Sequence, residues 1–122
     1  MRVAGIGFRG AADLASLRDA LDRALRDAAG GPIDALATES AKSRTAVFKA
    51  LARDLGVPGL GVSAEDMAQM ITLTQSQRIQ DRFGTGSLAE AAALALVGPE
   101  GRLVAARVVS GDGMATAALA ES

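Results

Sequence analysis

Short apolar runs alternate with amphipathic stripes along almost the whole of this sequence, and that alternation constrains the fold more than any single residue does. Arg2 to Phe8 interleaves apolar residues with glycine and reads as an opening strand. From Asp13 to Ala28, Leu14, Leu17, Leu21, Leu25 and Ala28 recur at spacings of three and four, one stripe of a helix. Asp19 with Arg23, and Asp22 with Arg26, stand four apart off that stripe and add weak pair support. Gly30-Gly31-Pro32 ends the helix, and Ile33 to Thr38 reads as a second strand. Thr45 to Leu55 is a second helix with Phe48, Leu51 and Leu55 on one face and Gly56 just past its end. Gly59 to Val62 is a short third strand. Ser63-Ala64-Glu65-Asp66 has the form of an N-cap with acids in the first turn, opening a helix that carries Met67, Met70 and Ile71. Ser76 to Phe83 is a further short helical stretch. Ser87-Leu88-Ala89-Glu90 forms a capping box before an Ala-rich helix that stops at Gly98-Pro99. Leu103 to Val109 and Met114 to Leu119 are strands joined by the turn Ser110-Gly111-Asp112-Gly113.

The order is therefore β-α-β-α-β-α-α-α-β-β. Strands alternating with helices predict an α/β fold: a three-layer α/β/α sandwich around a mainly parallel sheet of about five strands, with an antiparallel C-terminal hairpin at the edge. At 122 residues the chain suits one domain over 1–122, burying roughly 65–70% of its unfolded surface. Alanine is its commonest residue, 27 by count, so the core must be aliphatic and closely spaced. No apolar run is long enough to span a membrane, and the N-terminus lacks a signal peptide's pattern, so the chain reads as cytoplasmic.

The sequence has no His, Cys, Trp or Tyr. Thiolate nucleophiles, imidazole bases and the usual zinc, haem or iron–sulfur sites are excluded, and no metal or cofactor is expected. A formal net charge of −1 and three Phe as the sole aromatics give neither an electrostatic footprint nor stacking platforms for nucleic acid. Polar chemistry must come from Ser, Thr, Asp, Glu, Lys, Arg and backbone amides.

Four segments carry such groups. Gly5-Ile6-Gly7-Phe8-Arg9-Gly10 is a formal G-x-G-x-x-G after a strand, with Glu39 at the end of the next one, the outline of a dinucleotide site. The helical stripe starts only at Leu14, however, and Phe8 and Arg9 fill the space a pyrophosphate needs, so a flexible strand-to-helix turn is preferred. Gly84-Thr85-Gly86-Ser87 before a helix offers converging amides, hydroxyls and a helix N-terminus to a carboxylate or phosphate, with Arg78 and Arg82 upstream; ordinary capping explains only Ser87 and Glu90. Thr38-Glu39-Ser40-Ala41-Lys42 follows the second strand, where open sheets bind ligands, with Lys42 as a charge clamp and Glu39 as a proton acceptor, or both as plain loop residues. In Ser110-Gly111-Asp112-Gly113, Asp-Gly is mainly turn chemistry, and Asp112 alone makes no metal site.

Taken together, Val3 to Gly10, Leu36-Ala37-Thr38 with Lys42, Leu51 to Pro58 followed by Val62-Ser63-Ala64-Glu65, Gly84 to Leu94, and Val109 to Ala118 resemble the cobalamin-biosynthesis family containing CobE and the C-terminal domain of CbiG. The resemblance runs from about Arg2 to Ala120, and the short length is most like stand-alone CobE. Phe8 stands where the family often has Cys, and Thr74-Gln75-Ser76-Gln77 where it often has T-P-S-E. The first departure argues against an essential thiol there; the second puts a catalytic role of that loop in doubt.

The resemblance implies a role in building the corrin ring of vitamin B12. CbiG-type proteins open a precorrin lactone and release acetaldehyde, whereas CobE-type proteins belong to the oxygen-dependent route. The implied partner is a precorrin, a macrocycle fringed with carboxylates, together with other corrin-pathway enzymes, and neither nucleic acid nor membrane. The expected ligand-binding residues are Gly7, Phe8, Arg9, Thr38, Lys42, Gly84, Thr85, Gly86, Ser87 and Gly111, with Arg78 as a further anion contact. Phe8, Phe83 and Met67 or Met70 are the sizeable apolar groups for the ring. The leading expectation is a precorrin carrier or accessory protein. The alternatives are a precorrin lactone hydrolase with Glu39 or Asp112 activating water, and a nucleotide-binding module on Gly5 to Gly10.

Overall fold

The computed structural model describes residues 1–75 and 88–122, with 71–75 given as helical backbone. Its elements are β1 (Arg2–Phe8), α1 (Leu14–Asp27), β2 (Ala35–Glu39), α2 (Ser40–Ser43), α3 (Ala46–Leu55), β3 (Gly59–Val62), α4 (Ala64–Gln75), α5 (Leu88–Val97), β4 (Arg102–Val109) and β5 (Ala115–Glu121). The expected strands and helices fall on these elements to within a few residues. The helix expected over 76–83 lies outside the described residues. The short helix α2, absent from the sequence reading, forms because the Glu39 side chain accepts the Ala41 N–H at 2.8 Å and caps a single turn after β2.

The sheet order is β3-β2-β1-β5-β4. β1 pairs parallel with β2, and β2 with β3; β5 runs antiparallel to both β1 and β4. The C-terminal hairpin thus takes one side of the sheet, with β4 as the edge and β5 inside. The chain steps outward on one side of β1 through β2 and β3, then returns to the other side through β5. The carboxyl end of β1 is therefore the switch point of the topology, where open α/β sheets form a crevice.

Two cores cover the two faces. Leu17, Leu21, Phe48 and Leu51 of α1 and α3 pack on Ile6, Leu36 and Leu119. Met67 of α4 and Ala91, Ala92, Ala93 and Leu94 of α5 pack with Val3, Ala37 and Ala120 on the opposite face. In α5, residues Ala89 to Leu94 are all buried, as expected of a helix that is apolar nearly all round. Its closeness to the sheet depends on Gly5. A Cβ there would overlap the Ala89 carbonyl oxygen and stand 2.9 Å from Ala93 N. Gly5 and Gly7 lie within regular β1 rather than in a turn, so the flexible-turn reading of this segment holds only around Gly10.

Helix ends follow the capping rules except at Thr45, whose hydroxyl donates to Lys42 O instead of capping α3, and at Ala29. Asp13 caps α1, accepting from Ser16 N at 2.9 Å. α1 and α3 end in the same pair of bonds, Ala29 N–H to Arg26 O with Gly30 N–H to Leu25 O, and Gly56 N–H to Arg53 O with Val57 N–H to Ala52 O. The left-handed residue is Gly56 in α3 (φ 69°) but Ala29 in α1 (φ 62°). The carboxylate of Glu90, in the first turn of α5, reaches to the edge strand: Oε2 accepts the Arg107 N–H of β4 at 3.0 Å, and Oε1 has no partner among the described residues, while the Ser87 end of the expected capping box lies outside them.

Candidate functional site

A cavity of about 370 Å³ opens at the switch point, above the carboxyl ends of β1 and β2. Its floor is Ile6, Gly7 and Phe8 of β1, Thr38 and Glu39 of β2, and Ala115 and Thr116 of β5. Arg9, Lys42, Arg107, Val109, Gly113 and Met114 surround it, with Met67 of α4 and Leu88 of α5 on the helical side. Gly7 keeps the floor open, since a Cβ there would stand 2.7 Å from Thr116 Oγ1.

The polar groups at the carboxyl ends are already tied to backbone. Thr38 Oγ1, buried, donates to Ile6 O at 2.7 Å and fixes the end of β2 to β1. Lys42 Nζ donates to Phe8 O at 2.6 Å and stands 4.9 Å from the centre of the Phe8 ring. The carbonyl and the ring face both attract the ammonium, which keeps two further protons to donate. The Arg9 N–H donates to Met114 O at 3.0 Å, joining β1 to the hairpin turn and leaving the guanidinium exposed.

Charge at the cavity differs in sign from the chain as a whole. Among the described residues that line it, Arg9, Lys42 and Arg107 stand against one carboxylate, that of Glu39, in a chain of formal net charge −1. Among the described residues the ion pairs are Arg2–Glu121, Arg18–Asp54, Arg23–Asp19 and Arg102–Glu121, so none of these three cations is neutralised by one. Phe8, Met67, Leu88, Val109 and Met114 add apolar surface to the same lining. Three separated cations around an apolar floor suit an organic ligand with several carboxylates.

The residues expected from the sequence divide into three groups. Gly7, Phe8, Arg9, Thr38, Glu39 and Lys42, read from two separate segments, meet at this cavity, and so does Met67. Gly111 and Asp112 do not line it. The Gly111 N–H donates to Asp19 Oδ2 at 2.7 Å, and this bond above all holds the Asp19 carboxyl below its usual range, with Arg23 adding to it. Asp112 staples the hairpin turn to α1, accepting from Ser110 Oγ at 2.6 Å, from Met114 N at 3.0 Å and from Ser16 Oγ. The Ser110 hydroxyl first, then that of Ser16, lowers the Asp112 carboxyl to about 2. Gly84, Thr85, Gly86 and Ser87, with Arg78, Arg82 and Phe83, lie outside the described residues.

Arg107 escapes the sequence reading, and the cause is local. Ala105 and Val108 both contribute to the core beneath α1, so the two-residue period of β4 breaks between them, at a register shift against β5. β4 carries two register shifts against β5, one between Leu103 and Ala105 and one between Ala105 and Val108, and the second sets Arg107 off the face of Ala105. Among the described residues no three His, Cys, Asp or Glu side chains cluster as a metal site, and no helix is long and apolar enough to cross a membrane.

The family model described as cobalamin synthesis G C-terminus matches residues 2–120. Among solved structures, cobalamin biosynthesis protein chiG from Agrobacterium tumefaciens str. C58 superposes with a TM-score of 0.81 at 32% identity, covering 100% of this chain and 98% of that one. CobE, a protein from the cobalamin (vitamin B12) biosynthetic pathway, gives 0.80 at 27% identity over 100% and 90%. A cobalamin biosynthesis protein G homolog from Sulfolobus solfataricus shares the fold, with a TM-score of 0.69 at 18% identity over 98% of this chain and 36% of that one. No match was found among curated proteins.

Proposed function

The chain belongs to the cobalamin synthesis G C-terminus family, and from that premise we propose that it binds a precorrin at the cavity above β1 and β2, as a carrier or accessory protein of corrin assembly. The observation that carries this reading is the set of three cations, Arg9, Lys42 and Arg107, that line the cavity beside apolar side chains and have no ion-pair partner among the described residues. A precorrin offers matching features, peripheral carboxylates around a largely apolar ring. Cations approaching from β1, α2 and β4 would each meet a different arm of the macrocycle. Phe8, Met67 and Met114 would lie against its body.

Holding the ligand is favoured over turning it over. Lactone hydrolysis needs a base to activate water and an acid for the leaving group. Among the described residues Glu39 is the one carboxylate lining the cavity, and one of its oxygens is engaged in capping α2. Asp112 lies on the hairpin turn with both oxygens hydrogen-bonded. The nucleotide reading loses its main support, because Gly5 is spent on helix packing beneath α5.

The test is a titration of the purified protein with a precorrin, followed by the visible absorption of the macrocycle. A saturable spectral shift that weakens at least tenfold in Arg9→Glu is expected. A spectrum indifferent to the protein would overturn the proposal, and ring opening of a lactone substrate that is lost in Glu39→Gln would replace it with the hydrolase.

A further inference from the structure

We infer that the buried carboxylate of Glu90 is a positioning residue for the anion site, holding the bulge of β4 so that Arg107 faces the cavity; this rests on the ligand reading above. Glu90 is 3% exposed, at the first turn of α5, and reaches across to the edge strand. A β-bulge leaves one residue of the bulged strand without its ladder partner, and its N–H must then find another acceptor or water. The Arg107 N–H lies at the register shift between Ala105 and Val108 and is satisfied by Glu90 Oε2 at 3.0 Å. An acceptor delivered from α5 thus makes the bulge tolerable, and the bulge decides which way Arg107 points. A regular strand here would need no such side chain, and a carboxylate with an unpartnered Oε1 is a costly group to bury for packing alone.

Two substitutions separate this role from a packing role. Glu90→Met fills much the same space without an acceptor, and Glu90→Gln keeps the acceptor without the charge. The probe is a stable porphyrin polycarboxylate followed by its absorption, with amide hydrogen exchange at Arg107 as a readout that needs no ligand. Exchange at Arg107 is expected to accelerate in Glu90→Met and to stay slow in Glu90→Gln. Affinity is expected to drop about tenfold in Glu90→Met, as in Arg107→Ala, roughly the worth of one charged hydrogen bond. The double variant Glu90→Met/Arg107→Ala should be no weaker than either single one, since both remove the same contact. Unchanged exchange and affinity in Glu90→Met, or additive losses in the double variant, would overturn the positioning role while leaving the ligand reading intact. A wild-type protein that leaves the porphyrin spectrum unchanged would overturn the ligand reading instead, and Arg107's part in it.

Discussion

Single residues at the ends of α1 and α3 make a matched experiment. Both helices close with the same pair of hydrogen bonds, and both need a left-handed residue at the same place. α3 supplies Gly56, which adopts that conformation freely; α1 supplies Ala29, whose Cβ crowds its own carbonyl there. Ala29→Gly should therefore stabilise the protein by about 0.5–1 kcal/mol and Gly56→Ala destabilise it by about the same, on the left-handed penalty less the entropy glycine adds to the unfolded chain. Urea unfolding of the two variants checks both signs. The sequence indicated the stop at Gly30-Gly31-Pro32 but not that Ala29 takes the strained place, because a glycine pair reads as the turn itself. Asp112 supplies a second residue-scale prediction. Its pKa is lowered in the fold to about 2 from 3.8, so its stabilisation is complete above about pH 4 and fades as the pH falls towards 2. Asp112→Asn should lower the melting temperature at pH 7, and the gap between variant and wild type should close in acid. A gap of constant size across that range would remove the charge from the account.

At the scale of elements, the sequence was legible where a period repeats and silent where it breaks. The leucine stripe of α1 and the apolar face of α3 were readable because helices bury one side at fixed spacing. α5 was recognised from its capping box, its Ala-rich composition and its stop signal, yet its place was not, since a helix buried nearly all round points to no partner. What seats it is glycine within a strand. Gly5 lets the α5 backbone rest on β1, so small residues on both elements replace interlocking side chains. Gly5→Ala should lift α5 from the sheet and cost about 1–3 kcal/mol or more, the range for overpacking, because the atoms in the way are backbone. Gly10→Ala is the control, with nothing within 4 Å of the added methyl. Equal melting temperatures for the two variants would refute this account of the packing. The bulge in β4 is the other illegible element. It is the second of two register shifts in β4 and sets Arg107 off the face of Ala105, at a place where the letters Ala105-Ala106-Arg107-Val108 show no break, and the residue that satisfies it lies seventeen positions upstream.

For the whole molecule, the arrangement of charge matters more than its sum. A formal net charge of −1 would predict indifference or weak repulsion towards a polycarboxylate at long range. The sheet order counters this by bringing the end of β1, the start of α2 and the bulge of β4 to one cavity, so cations far apart in the sequence share a locality. Lys42 was readable as a candidate because strand ends carry ligands in such sheets, and Arg9 became one through the family resemblance; Arg107 depended on a pairing that only the folded hairpin reveals. Screening sharpens the consequence. At physiological salt, charges lose sight of one another beyond about 8 Å, so only cations at the cavity should govern a carboxylate ligand. Arg26, exposed on the last turn of α1 and absent from the cavity lining, provides the comparison. Arg9→Glu and Arg26→Glu alter the net charge equally. The first should weaken binding of a tetrapyrrole polycarboxylate at least tenfold, and the second should leave it within about twofold at 0.15 M salt. Raising the salt should weaken the wild type and bring it towards Arg9→Glu. Equal losses in the two variants would mean that overall charge, and not this site, sets the affinity.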